Sequence, residues 1–211
     1  MTGSVDIDQL QVEIDRFKEE NKKLRTSNRH WMRIAGTDHL TGLPNKVFFT
    51  TALLPPLITQ ANADSSSFVC IMVAPDRLGD INQKYGREGG DQIVVGLAKY
   101  LKDNLESDEK LVHIDGANFV IVVPDCDQSG AKRRTRQFRA RVVSRHFECG
   151  NNVISLTLSM GVVLRALGPQ GAATKIKEVS EDLLRRMGLA LDEAKRHGGD
   201  KVVEDTESQE V

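Results

Sequence analysis

The sequence predicts a mixed α/β (α+β) fold, one sheet with helices on its faces, preceded by a long coiled-coil helix. Three observations carry this. Apolar residues in the first 35 positions recur at alternating spacings of three and four. After residue 37, short apolar runs alternate with helical patterns, the mark of a sheet covered by helices. From Leu111 to Val123, two apolar runs flank the polar turn Asp115–Gly116–Ala117–Asn118, which reads as an antiparallel hairpin.

The N-terminal pattern is a heptad. Ile7, Ile14, Asn21, Asn28 and Ala35 take the a positions, and Leu10, Phe17, Leu24 and Trp31 take the d positions. Glu13 and Glu20 at g face Lys18 and Arg25 at e of a partner helix, as a parallel, in-register dimer requires. Asn21 and Asn28 at a positions are costly to bury unless each meets its twin, so they favour two parallel strands and weaken the coil. The alternative is a single amphipathic helix packed on its own domain. Gly36 ends the pattern, and Thr37–Asp38 reads as a stop followed by a cap. The expected organisation is a helical stalk over residues 1–36, a globular domain over 37–203 and a disordered acidic tail over 204–211.

Within the domain, Lys46 to Gln60 reads as a helix. Phe68 to Ala74 is an apolar run between serines and Pro75, hence a buried strand. Asp91 to Leu105 has Ile93, Val94, Leu97, Ala98 and Leu101 at helical spacing. The hairpin follows. A basic helical stretch then carries Lys132, Arg133, Arg134, Arg136, Arg139 and Arg141, either a solvated face or one that binds anions or a partner. A strand from Val153 to Val163, a helix from Val179 to Lys195 and a last strand near Lys201 to Val203 complete the order.

Bulk properties bound the function. With 211 residues and 39% hydrophobic content, the chain suits one packed domain plus an appendage. A formal net charge of -1 gives no global field to recruit nucleic acid or an anionic membrane. The three cysteines, Cys70, Cys126 and Cys149, lack metal spacing and read as reduced thiols. No apolar run approaches the roughly 18 residues of a membrane span. The N-terminus is too charged for a secretory signal. The expectation is a cytoplasmic protein without membrane insertion.

Four segments resemble one known family. Asp38–His39–Leu40–Thr41–Gly42–Leu43–Pro44–Asn45–Lys46 looks like the D-x-L-T-G-L-x-N-R opening of GGDEF domains. The stretch from Ile81–Asn82 through Tyr85–Gly86 to Asp91 is similar to I-N-D-x-Y-G-H-x-x-G-D. Ser159–Met160–Gly161 resembles the S-I-G strand, and Leu189 to Lys195 resembles the A-L-Y-x-A-K helix. The resemblance covers nearly everything after residue 37. It implies a ferredoxin-like, nucleotidyl-cyclase-like sheet and a place in bacterial cyclic di-GMP signalling. In that family two subunits each bind GTP, and a ribose 3′-hydroxyl attacks an α-phosphate while metal ions neutralise the charge.

This chain departs from that pattern where the family holds its metal. The signature positions are Asp115, Gly116, Ala117, Asn118 and Phe119, so the metal-binding carboxylate falls at Ala117 and the Glu after it at Asn118. The first Asp of the D-x-D pair falls at Ala74; the second is kept as Asp76. Hard cations need oxygen ligands, preferably carboxylates. If each lost ligand costs roughly 3 kcal/mol of transition-state stabilisation, two cost about 6, or around four decades in rate. The family's phosphate-contacting Lys falls at Gly79, an Arg at Gly199 and a His at Arg87. The inhibitory R-x-x-D motif falls at Glu106 to Glu109, where an acidic residue replaces the Arg.

The base-reading half is kept. The resemblance assigns Asn82 and Asp91 to guanine and Lys195 to phosphate. The alternatives are a polar loop residue for Asn82 and a helix N-cap for Asp91. Asp76 and Asp115 are displaced carboxylates, weak candidates for a metal in a shifted geometry. The expectation is therefore a catalytically silent dimeric signalling or scaffold protein with no resident cofactor and a protein partner. A GTP or cyclic di-GMP sensor is the alternative. A cyclase that uses magnesium on the displaced carboxylates is the third reading.

Overall fold

The computed structural model describes residues 7–64, 66–166 and 176–205. Helix α1 (Ile7–Ala35) leads to α2 (Lys46–Phe48), which runs through a π-helical turn (Phe49–Leu53) into α3 (Leu54–Asp64). Strand β1 (Ser67–Pro75) and helix α4 (Leu78–Asp103) precede the hairpin of β2 (Lys110–Asp115) and β3 (Asn118–Pro124). Then come α5 (Gln128–Val143), a second hairpin of β4 (His146–Cys149) and β5 (Asn152–Ser155), β6 (Leu158–Ala166), α6 (Ile176–Arg196) and β7 (Val202–Glu204). The expected fold class holds: a mixed sheet with flanking helices and a preceding helix.

The main sheet has the order β2-β3-β1-β6-β7. β1 lies at its centre and pairs antiparallel with β3 and β6, while β7 joins β6 in parallel. Side chains alternate along β1 with period two. Val69, Ile71 and Val73 face α4 and α5, with Phe119, Ile121 and Met160. Phe68, Cys70, Met72 and Ala74 face α3 and α6, with Val120, Val122 and Val163. Both faces are covered, so β1 reads as a continuous apolar run rather than an alternating one. Burial pushes the Cys70 thiol up to about 12, which makes it an inert core group.

Gly161 shows why the Ser159–Met160–Gly161 strand needs its glycine. A Cβ there would lie 2.3 Å from the Met187 carbonyl oxygen and 2.5 Å from the Leu191 nitrogen. The backbone of α6 therefore rests directly on β6, and this contact sets the height of α6 and of Lys195 near its end.

Several elements differ from expectation, each for a physical reason. The single helix expected over Lys46 to Gln60 is interrupted by the π-helical turn, where the Leu54 N–H reaches the Phe49 carbonyl. Pro55 and Pro56 withdraw two donors and their rings crowd the carbonyls behind them, so the preceding turn widens. The N-cap of α2 is Asn45, whose side chain accepts from Val47 N and Phe48 N. Asp38 caps no helix; it accepts from the backbone and hydroxyl of Thr41 within the connecting turn. The strand expected over Val153 to Val163 is two strands, β5 and β6, which belong to different sheets. The chain crosses between them at Thr157, whose carbonyl accepts from Asp76 N. Glu204 and Asp205, expected in the tail, belong to the domain: Glu204 closes β7 and Asp205 N donates to the Val162 carbonyl. Residues 206–211 lie outside the described residues.

α1 leaves its apolar stripe uncovered in the single chain. Leu10, Ile14, Phe17, Leu24 and Trp31 are all exposed, between 45% and 62%, and so are Asn21 and Asn28. The side chain of Ile7 lies outside the described residues. Asn45 holds the helix end, donating to the Ala35 carbonyl at 2.7 Å. No helix among the described residues is long and apolar enough to cross a membrane.

Candidate functional site

Helix α4 is bent at Gly86, whose φ of 76° and ψ of 175° break the helix. The two halves fold closely together around this bend. A Cβ on Gly89 would meet Tyr85 Cβ at 2.7 Å, and one on Gly90 would lie 1.8 Å from Asn82 Oδ1. The glycines of the Tyr85-to-Asp91 stretch thus exist to let the halves approach. The same approach lays the Asn82 amide against the backbone beside Asp91. Asn82 is on a helix, not in a loop, and Asp91 is inside the second half, several residues past the bend, so it is not an N-cap. Both side chains are exposed, and neither has a hydrogen-bond partner among the described residues.

A separate cleft lies at the end of β1. It encloses about 540 Å³ and is bordered by Asp76, Gly79, Ala117, Asn118, Lys195 and Gly199. Asp91 borders another cavity, of about 580 Å³, with Leu40, Gln92 and Phe147. The structure therefore brings Asn82 to Asp91, and Lys195 to the hairpin turn. No cavity among those described is lined by Asn82, Asp91 and Lys195 together.

The two displaced carboxylates, Asp76 in this cleft and Asp115 in the hairpin turn beside it, are hydrogen-bonded within the fold. Asp76 accepts from Thr157 Oγ1 and Ser159 Oγ, each at 2.6 Å, and from Asp200 N at 2.8 Å. It ties β1 to β6 and to the loop after α6. A Cβ on Gly199 would lie 2.8 Å from the Asp76 carboxylate, so a side chain at 199 requires Asp76 to move. At Gly79, by contrast, a Cβ would meet nothing within 4 Å. Asp115 accepts from Asn118 Nδ2 at 2.7 Å across the turn, with Gly116 at φ 51°. Ala74 is wholly buried and Ala117 packs on the core. Among the described residues no group of three His, Cys, Asp or Glu is placed to hold a metal ion. This donor set does not suit the magnesium that the sequence resemblance implies.

The position of the R-x-x-D motif is closed from within. Glu109 is 3% exposed and accepts two bonds from Arg134, Nε to Oε1 and Nη2 to Oε2, both 2.6 Å. Its Oε2 also accepts from Glu106 N at 2.8 Å. Burial works to lower the Arg134 pKa, but the Glu109 carboxylate outweighs it and holds the guanidinium above its ordinary value. Sequence reasoning missed this pair because Arg134 sits in a basic run. The run is split: Lys132, Arg133, Arg136 and Arg141 are exposed, Arg139 is half-buried and Arg134 is buried on Glu109. Lys132 reaches Glu204, Arg139 pairs with Asp200, and Arg141 donates to Asn104.

The signature hairpin is also wired to the base of α1. His113, 5% exposed, sets Nδ1 2.8 Å from Asp38 Oδ1 and Nε2 2.9 Å from the Gly116 carbonyl, and stacks on Phe119. Partial burial works to raise the Asp38 pKa, but its bonds to Thr41 and His113 prevail and lower it to about 2. Asp38 contributes stability that is complete above its unfolded value of about 3.9 and is lost as pH falls through 2. Unfolding followed between pH 5 and 2 is expected to show this loss in the native protein and a shallower slope in Asp38→Asn.

Comparison with known proteins is consistent with this architecture. The model of the family described as "Diguanylate cyclase, GGDEF domain" matches residues 35–201. The response regulator PleD of Caulobacter vibrioides is 28% identical over 182 residues, covering 85% of this chain and 38% of PleD. The diguanylate cyclase DgcP of Pseudomonas aeruginosa is 23% identical over 193 residues, 92% of this chain and 27% of DgcP. The chain thus spans well under half the length of these relatives. Among solved structures, the coiled coil and GGDEF domain of DgcB from Caulobacter crescentus, in complex with c-di-GMP, superposes with a TM-score of 0.71 at 22% identity. That match covers 92% of this chain and 98% of the DgcB chain. Diguanylate cyclase SiaD of Pseudomonas aeruginosa, in complex with its activator SiaC, gives 0.67 at 24% identity, covering 94% of this chain and 72% of that one. With a family model that spans nearly all of the globular domain, and with the kinked α4, the signature hairpin and α6 in one arrangement, the chain belongs to the GGDEF, or diguanylate cyclase, domain family.

Proposed function

We propose that this chain is a catalytically silent GGDEF domain that pairs through α1 and signals by docking to another protein. One observation carries this reading. The two positions that would present metal-binding carboxylates hold Ala74 and Ala117, and the nearby Asp76 is bonded to Thr157, Ser159 and Asp200. A triphosphate in that cleft meets no free pair of carboxylates through which magnesium could be shared. The closure of Glu109 on Arg134 supports the same reading, since this arginine is buried and committed to Glu109 rather than offered to an anionic product.

Dimerisation rests on the exposed heptad stripe of α1. DgcB was solved with its coiled coil, and SiaD with a protein activator, which favours a stalk-paired module that meets a partner. Removal of residues 1–36 is expected to convert a dimer into a monomer in sedimentation. An unchanged dimer moves the interface onto the domain.

A second reading, a GTP sensor, is favoured by Asn82 and Asp91. An amide and a carboxylate side by side can read the guanine edge, the carboxylate accepting from N1–H and the exocyclic amine. Two measurements separate the readings. Incubation with GTP and magnesium is expected to yield no cyclic di-GMP; accumulation at ordinary enzymatic rates sinks the silent assignment. Calorimetry with GTP is expected to show no saturable heat for a pure docking module. Saturable heat that disappears in Asp91→Ala establishes the sensor instead.

A further inference from the structure

On the α3/α6 side of the sheet, beyond the signature turn, lies the largest cavity described, about 880 Å³, between α2 with its π-helical turn and α6. Helix α6 lines it from Lys177 to Lys195, which at 1.5 Å per residue makes a groove about 27 Å long. Its floor is apolar, built from Met72, Ile114, Leu184 and Leu191. Its charges are not evenly used. Lys177 is paired with Glu181. Lys46 and Lys195, near the signature turn, have no ion pair among the described residues, and neither has Asp192. The groove meets the cleft of Asp76 only at Asn118 and Lys195.

Gly188 lies in the middle of this wall. It is inside a helix, where glycine is poorer than alanine, and a Cβ there would meet nothing within 4 Å. No close packing calls for it, unlike Gly161 on the facing strand. Its effect on the structure is to leave the groove open at mid-length. Volume, apolar floor and a few convergent polar groups together are the features of a small-molecule site.

We infer that this groove binds a small amphipathic organic acid. The apolar body lies on Met72, Ile114 and Leu191, the anionic head meets Lys46 and Lys195, and an N–H or O–H donor on the ligand meets Asp192. The groove has its own apolar floor outside the signature cleft, but Lys195 and Asn118 border both, so an acid in the groove and a triphosphate in the cleft would compete for Lys195.

The probe is 1-anilinonaphthalene-8-sulfonate, which has an aromatic body, a sulfonate and an anilino N–H. Titration of the full chain is expected to give saturable fluorescence with about one dye per chain. Gly188→Phe, whose Cβ meets nothing within 4 Å and whose ring would occupy the groove, is expected to weaken binding at least tenfold while the melting temperature holds or rises. Lys46→Glu alters only a rim charge at an exposed helix start. It is expected to weaken the sulfonate dye severalfold and to leave the neutral N-phenyl-1-naphthylamine unchanged. Absence of saturable binding, or equal binding by Gly188→Phe, overturns the site. Equal weakening of both dyes by Lys46→Glu overturns the assignment of an acid.

Discussion

Arg134→Met is expected to cost about 3–5 kcal/mol of folding stability, as removal of one partner from a buried ion pair does. Glu109 is left 3% exposed with no cation, while its carboxylate still has the Glu106 N–H bond that holds it in place. The Asn104 carbonyl, which accepts from Arg134 Nη2 at 3.1 Å, loses a donor as well. Replacing both partners, Arg134→Met with Glu109→Leu, is expected to recover more than half of the loss, because two apolar side chains of similar volume leave no stranded charge. Urea unfolding of the four proteins of this cycle measures the coupling directly. A single-variant loss under about 1 kcal/mol would mean that water reaches Glu109 and that the pair is a surface bridge. The result bears on function, since Glu109 stands at the last position of the inhibitory R-x-x-D motif that the resemblance implies.

Ala74→Asp combined with Ala117→Glu is expected to have the second large effect, and in two opposite directions. Ala74 is wholly buried against the α3/α6 layer, so a carboxylate there without a cation costs on the order of 2–5 kcal/mol. Magnesium and GTP together are expected to restore that stability, and magnesium-dependent GTP affinity is expected to rise at least about tenfold, or about 1.4 kcal/mol. Thermal melts with and without magnesium, together with calorimetry, read both arms. Unchanged affinity would mean that the bonds from Asp76 to Thr157, Ser159 and Asp200 have closed the cleft in a form that two carboxylates cannot reopen.

Much of the architecture was legible from local pattern. The heptad of α1, the apolar run of β1, the hairpin around Asp115 to Asn118 and the α6 helix all announce themselves by periodicity over a few residues. Where local pattern failed, a distant neighbour or a backbone detail was responsible. β5 and β6 read as one strand because both are apolar, and only their assignment to different sheets separates them. α4 read as starting at Asp91 because the bend at Gly86 hides the first half.

The sequence by itself determined which side chains occupy the signature positions. Ala74, Ala117 and Gly199 stand where the resemblance implies carboxylates and a cation, and no fold changes which atoms those side chains carry. Tertiary structure alone decided what the remaining charges do. Asp76 meets Thr157, Ser159 and Asp200 across 81, 83 and 124 residues, and Arg134 meets Glu109 across 25. Such contacts leave no periodic trace, because they depend on how strands and helices are stacked rather than on how neighbours in the chain repeat.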